Sequence, residues 1–206
     1  MNLSACARLP KTPENRTWFR AIQPRYSSTA LNSAHTTGSR SRFSGGPLLP
    51  SSAQFQILYF AEDHQTALFE FGAMVGSPHI PGRAIPNPGV PALVLNVQIT
   101  LQQVFDLTQA RSAQVPLQTT AQELTGDWDG YQSRSPMTSV TAPIGLAETQ
   151  TLGEALFQTG IEGFRSLSAK IPYARTLMVF PTNLRRGSSI VYIDSGTVVH
   201  RIDGTI

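Results

Sequence analysis

The sequence predicts an α+β fold, with twisted, mainly antiparallel sheets and flanking helices in one domain. Three observations lead there. The 206 residues fit a single domain that can bury a sizeable core. Strand-like and helix-like segments do not alternate regularly, which argues against a doubly wound parallel sheet. Charged residues make up only 14% of the chain and no apolar run is long enough to span a membrane, which excludes a disordered chain, a coiled coil and a helical membrane protein.

Residues 1–16 are polar, contain Pro10 and Pro13, and read as a flexible N-terminal tail, leaving 17–206 as the domain. TWFRAI at 17–22 reads as a short strand, and the Ser, Thr, Gly and Asn of 27–41 as a long loop that continues to Ser52. A loop of that length in a compact domain is usually functional. FQILYF at 55–60 alternates little and reads as a strand buried on both faces. Asp63 is placed to cap a helix over 64–75, stopped by Gly76 and Pro78. Residues 77–91 hold five prolines and read as a second long loop. ALVLNVQIT at 92–100 is the cleanest strand, with Leu93, Leu95, Val97 and Ile99 on one face. A short helix follows at 118–124, then a loop over 126–145. An amphipathic helix at 147–159 presents Leu152, Ala155 and Leu156 and ends at Gly160. Four strands close the chain, at 163–169, 176–181, 189–194 and 197–202, the last two joined by a turn at Asp194-Ser195-Gly196.

The net charge is +3, and the dispersed basic residues are mostly arginine. That is no nucleic-acid footprint; forked guanidinium donors suit a small phosphorylated ligand better. Cys6 is the lone cysteine, so there is no disulfide framework, in keeping with a reducing, cytoplasmic location. LSAC at 3–6 has the form of a lipoprotein cleavage box, but no basic or apolar region precedes it, so it reads as a chance match. There is no GxGxxG after a strand, no P-loop lysine and no GxSxG. His35, His64, His79 and His200 lack metal-ligand spacing, and Asp127 and Asp129 in GDWDGY read as a solvated turn around a buried Trp128.

A set of polar residues on or beside apolar segments carries more information: Arg20 in TWFRAI, Arg42 in GSRSRF, Tyr59 and Glu70 in LYFAEDHQTALFE, and Ser168 in SLSAK. Glu70 lies between Ala67 and Met74, at i−3 and i+4 on the predicted helix, so it points along the interior stripe. A carboxylate there is costly unless it is paired or working. Each residue also has a plain structural reading. Glu70 can pair with Arg42, Tyr59 can simply pack, Arg20 can snorkel from a strand end, and Ser168 can be a small residue with a satisfied hydroxyl.

The segment LYFAEDHQTALFE resembles the RES domain, named for Arg, Glu and Ser. The family's pattern begins with an N-terminal Tyr-x-Arg or Phe-Arg element and a Gly-(Gly/Ser)-Arg-(Trp/Phe) motif. Leu-Tyr-x-Ala and Ala-Leu-x-Glu follow, and a late Pro-Ser-Ala-Arg closes it. Here these places are taken by Phe19-Arg20, by Arg42-Phe43 with Arg40 as a rival, by Leu58 to Ala61, by Ala67 to Glu70, and by Leu167 to Lys170. The helix with Thr149-Gln150 and Leu152-Gly153 resembles the segment leading into the late motif. In some members the serine instead follows a tryptophan, the place of Asp129 here. The resemblance covers about residues 17–195.

It implies an ADP-ribosyltransferase-like fold and a bacterial toxin neutralised by an antitoxin partner with a helix-turn-helix domain. It also implies NAD+ as substrate, with no cofactor and no metal. The reaction is cleavage of the nicotinamide–ribose bond by hydrolysis or phosphorolysis, or transfer of ADP-ribose to a protein. Glu70, Arg42 and Ser168 are then the catalytic set, and Arg20, Tyr59 and Arg40 the substrate-binding set. No nucleic acid or membrane is contacted, and a homo-oligomer is compatible with the sequence. A different class of reading stays open: a catalytically inactive RES-like module that only binds a partner or a nucleotide, suggested by the loss of proline and arginine in SLSAK.

Overall fold

The computed structural model of the chain describes residues 1–78, 80, 82–126 and 145–206. Its elements in order are β1 (Lys11–Ile22), β2 (Leu58–Ala61), α1 (His64–Phe71), β3 (Met74–Gly76), β4 (Ala84–Pro86) and β5 (Leu93–Asp106). Then come α2 (Val115–Leu117), α3 (Ala121–Leu124), α4 (Glu148–Gln158), β6 (Gly163–Leu167), β7 (Arg175–Val179), β8 (Ser189–Asp194) and β9 (Thr197–Asp203). Seven strands form one sheet in the order β1-β2-β7-β6-β5-β8-β9, and a further β1–β5 pairing closes five of them into a ring. Closure removes sheet edges that would otherwise need protection. Only the β5–β6 pair is parallel, so the expected mainly antiparallel α+β architecture is what the chain forms.

Period-two alternation builds two cores. Leu58, Phe60, Leu95, Val97, Ile99, Leu177 and Val179 join Trp18 in one cluster. The intervening Met178 and the flanking Ile57, Phe105 and Phe180 join Phe164, Phe43 and the α4 residues Leu152 and Leu156 in the other. Helix α4 reaches its seat because Gly153 has no side chain. A Cβ there would lie 1.9 Å from the carbonyl oxygen of Phe43. Gly153→Ala must push α4 off the turn carrying Arg42, and a loss of about 1–3 kcal/mol in chemical denaturation is expected.

The strand ends carry their own logic. Asp63 caps α1 by accepting the Thr66 backbone N–H at 2.8 Å and its hydroxyl at 2.7 Å, as the sequence suggests. The helix ends at Phe71, four residues short of the expected end at 75, because Gly72 takes a left-handed conformation at φ +82°. Met74 therefore opens β3 and does not lie on the helix, and part of the expected loop 77–91 returns as β4. The expected helix over 118–124 is shorter: Gln118, at φ +52°, ends the preceding α2, and only Ala121–Leu124 is helical as α3. The final hairpin turns through Ser195 and Gly196, both at positive φ, as expected for a primed two-residue turn.

The flexible tail expected at 1–16 is a correction. Leu3–Arg8 forms a 3-10 turn that buries Ala5 and Cys6, and Lys11–Arg16 is the first half of β1, paired with β5. Pro13 is tolerated because the register shifts there between Thr12 and Glu14. Burial pushes the Cys6 thiol up to about 11, so it is an inert core thiol. The Glu14 carboxylate accepts from Arg165 Nε at 2.6 Å, and the same guanidinium reaches Asp106 at 3.1 Å, tying β1 to β5 and β6.

One buried carboxylate has no signal in the sequence. Glu162 is fully buried and accepts backbone N–H bonds from Gln102 at 2.6 Å, Gln103 at 2.7 Å and Arg185 at 2.9 Å. With its lone pairs so occupied it is a structural anchor between the middle of β5 and the approach to β8. Among the described residues, no helix is long and apolar enough to cross a membrane.

Candidate active site

The ring is weakest where β1 meets β2. These strands share a single paired position, Phe19 with Ala61. A cavity of about 950 Å³ lies at this seam, and both residues line it. Arg20 bridges the gap in place of a ladder bond, donating from Nη1 to the Tyr59 carbonyl at 2.9 Å. Its Nε is buried without a partner among the described residues, and burial pushes its pKa down to about 10, which still leaves it charged at neutral pH.

Arg42 enters the same cavity from a turn closed by the Ser41–Ser44 bridge. It is 5% exposed. One Nη donates to Thr176 Oγ1 at 3.3 Å, and the other is buried with no partner among the described residues. Burial lowers its pKa, and the nearby Glu70 carboxylate acts in the opposite direction. Three side chains fix the turn. The Tyr59 hydroxyl accepts the Phe43 N–H at 3.0 Å and shares a proton with Ser41 Oγ at 2.7 Å. Gln150 on α4 donates to the Ser41 carbonyl at 3.0 Å. Burial is the main reason the Tyr59 pKa is raised. The ring of Tyr59 lines the cavity, but its hydroxyl serves the turn that presents Arg42.

Glu70 approaches from α1. Its Oε1 accepts from Ser168 Oγ at 2.5 Å and from the Ala169 backbone N–H at 3.0 Å. Among the described residues, nothing donates to its Oε2. Glu70 lines the cavity beside Arg42, and among the described residues the two form no salt bridge. The pairing that would have made Glu70 purely structural is therefore missing, and the carboxylate keeps one free oxygen in a cavity that also holds two guanidiniums.

Ser168 is 3% exposed and does not line the cavity. Its hydroxyl donates to Glu70 and accepts the Lys170 and Ile171 N–H groups at 3.1 and 3.0 Å. That fills its capacity. Ser168 thus positions Glu70 and winds the 168–171 turn. Lys170, in the place of the pattern's arginine, lines the cavity from an exposed position. Arg40 is exposed and does not line the cavity, so of the two rival arginines only Arg42 is brought in. Asp127 and Asp129 lie outside the described residues. Thr176, which receives Arg42 and donates to the Ser166 carbonyl at 3.3 Å, and Gly153 both support the site without any local signal of that role. Among the described residues, no group of three His, Cys, Asp or Glu side chains is placed to hold a metal ion.

The mainly antiparallel α+β ring brings buried arginines and a clamped carboxylate around one seam cavity, a donor set of the kind that suits a small anionic ligand. The RES domain family model matches residues 17–200, and the chain belongs to the RES domain family. The fold is also that of a chain in the crystal structure of the M. tuberculosis MbcT–MbcA toxin–antitoxin complex. The similarity has a TM-score of 0.57 at 15% identity, over 98% of this chain and 91% of that one. No curated protein matches the chain by sequence.

Proposed function

We propose that this protein is the toxin of a toxin–antitoxin pair and that it cleaves the nicotinamide–ribose bond of NAD+. The observation that carries the reading is Glu70 in one cavity with Arg20 and Arg42: among the described residues the carboxylate is held by one oxygen and open at the other, and each arginine has a buried N–H without a partner. The pyrophosphate of a dinucleotide is a dianion that forked donors recognise. Loss of nicotinamide develops positive charge on the ribose, which a fixed carboxylate stabilises or whose hydroxyls it orients. The clamp on Glu70 also supports an active enzyme over an inert module, because the hydroxyl survives at Ser168 although the proline and arginine around it are replaced. The acceptor is water, phosphate or a protein side chain, and the neutralising partner is an antitoxin with a helix-turn-helix domain; that a chain of a toxin–antitoxin complex shares the fold supports an antitoxin partner.

Purified protein, freed of any partner, is expected to release nicotinamide from NAD+, measured by chromatography over hours at micromolar enzyme with and without phosphate. Unchanged NAD+ in both conditions rejects the proposal. Arg42→Lys is expected to raise KM for NAD+ roughly tenfold, since one ammonium cannot hold Thr176 and still offer a second forked donor. Arg40→Lys is expected to leave KM unchanged. The opposite ranking would place the working arginine on the exposed segment before the turn.

A further inference from the structure

Part of the cavity wall comes from the stretch 23–35, which the proposed chemistry does not use. This wall is fixed in place. The Leu31 N–H donates to His200 Nδ1 at 3.2 Å, Ser33 Oγ donates to Gln56 at 2.5 Å, and the Ile57 N–H donates to Thr36 Oγ1 at 3.1 Å. Ala30 and Leu31 are buried beneath it. On this anchored wall Tyr26 is 49% exposed and lines the cavity. The Arg25 guanidinium lies over its ring, 4.8 Å from the centroid, and braces it. Asn32 and His35 line the cavity on the same wall. Asn32 spends its Oδ1 on the Ala34 N–H at 3.0 Å, so its amide N–H groups remain available, and the His35 ring has no partner among the described residues.

A half-exposed aromatic on an anchored wall, with polar groups unpartnered among the described residues and two arginines lining the same cavity, matches a flat heterocycle attached to a phosphate. We infer that Tyr26, with Asn32 and His35, forms a nucleobase subsite, in which the base stacks on the Tyr26 ring and its edge meets the two polar side chains. The inference rests on the dinucleotide reading of the site, and it assigns the half of the ligand remote from the broken bond.

The test is titration calorimetry of the purified full chain with ADP and with inorganic pyrophosphate, on the wild type and on Tyr26→Ala and Tyr26→Phe. The wild type is expected to bind ADP at least tenfold more tightly than pyrophosphate. Tyr26→Ala should weaken ADP roughly tenfold or more, the usual size of a lost base–aromatic stack, and leave pyrophosphate unchanged. Tyr26→Phe should keep both affinities. Equal affinity of the wild type for ADP and pyrophosphate overturns the subsite without reference to any variant. So does a folded Tyr26→Ala protein, verified by its thermal melt, that binds ADP as the wild type does. Nicotinamide release is a separate readout: if it is absent while the ADP preference is present and Tyr26-dependent, the cleavage reading fails and the subsite stands.

Discussion

Glu70→Gln is expected to lower turnover of NAD+ by a hundredfold or more, with the fold and the KM little changed. Glutamine keeps the shape of the side chain, and its carbonyl can still accept from Ser168 and the Ala169 N–H, the two bonds that hold Oε1. What disappears is the negative charge on the oxygen left free in the cavity. A charge that meets developing positive charge only in the transition state acts on kcat, and removal of one such group from a preorganised site typically costs two to three orders of magnitude. The measurement is kcat and KM by nicotinamide release, with circular dichroism to verify the fold. A folded Glu70→Gln enzyme with near-normal kcat removes the carboxylate from the chemistry. A rise in KM alone would give Glu70 a binding role only.

Much of this site was legible in the sequence because its most informative part is local. Leu58 to Glu70 places Tyr59 on a strand and Glu70 on the next helix, with Asp63 as its cap, and the structure keeps that order. The long strand β5 and the closing hairpin were legible for the same reason, since period-two alternation and a Ser-Gly turn are short-range signals. What was not legible depends on contacts far apart in the chain. Lys11–Arg16 looks like a tail because its residues are mostly exposed and polar, yet β5 lies beside it, about ninety residues away, and supplies the partner edge. The choice between Arg40 and Arg42 turns on Thr176, 134 residues later. The Arg42 turn is locked by Gln150 and by the absence of a side chain at Gly153, both on a helix whose pattern shows only amphipathicity. Ser168 was readable as a site residue but not as the residue that holds Glu70, because its partner lies 98 positions upstream.

That distance between the role read from the sequence and the geometry gives the second large expected effect. A serine that touches the substrate itself, as a member of the catalytic set would, would lose that contact on removal of its hydroxyl. The hydroxyl of Ser168 is instead filled by Glu70, Lys170 and Ile171, and the residue is 3% exposed. Ser168→Ala leaves Glu70 Oε1 on the Ala169 N–H alone and takes the acceptor from two backbone donors of the turn. The carboxylate then loses its fixed direction, and the wall that carries Lys170 loosens with it. Losing a hydrogen bond to a charged group costs about 1.5–3 kcal/mol, which in a transition state is a fall of roughly tenfold to a hundredfold in kcat. Because no substrate contact is removed, KM should stay within about twofold of the wild type. The orphaned Lys170 and Ile171 N–H groups should also lower stability by about 1–3 kcal/mol in denaturant titration. Two measurements separate the roles. A drop in kcat with KM held, together with the loss of stability, fits a residue that positions Glu70. A large rise in KM with stability unchanged would mean that the Ser168 hydroxyl leaves Glu70 and turns to the substrate when the cavity fills.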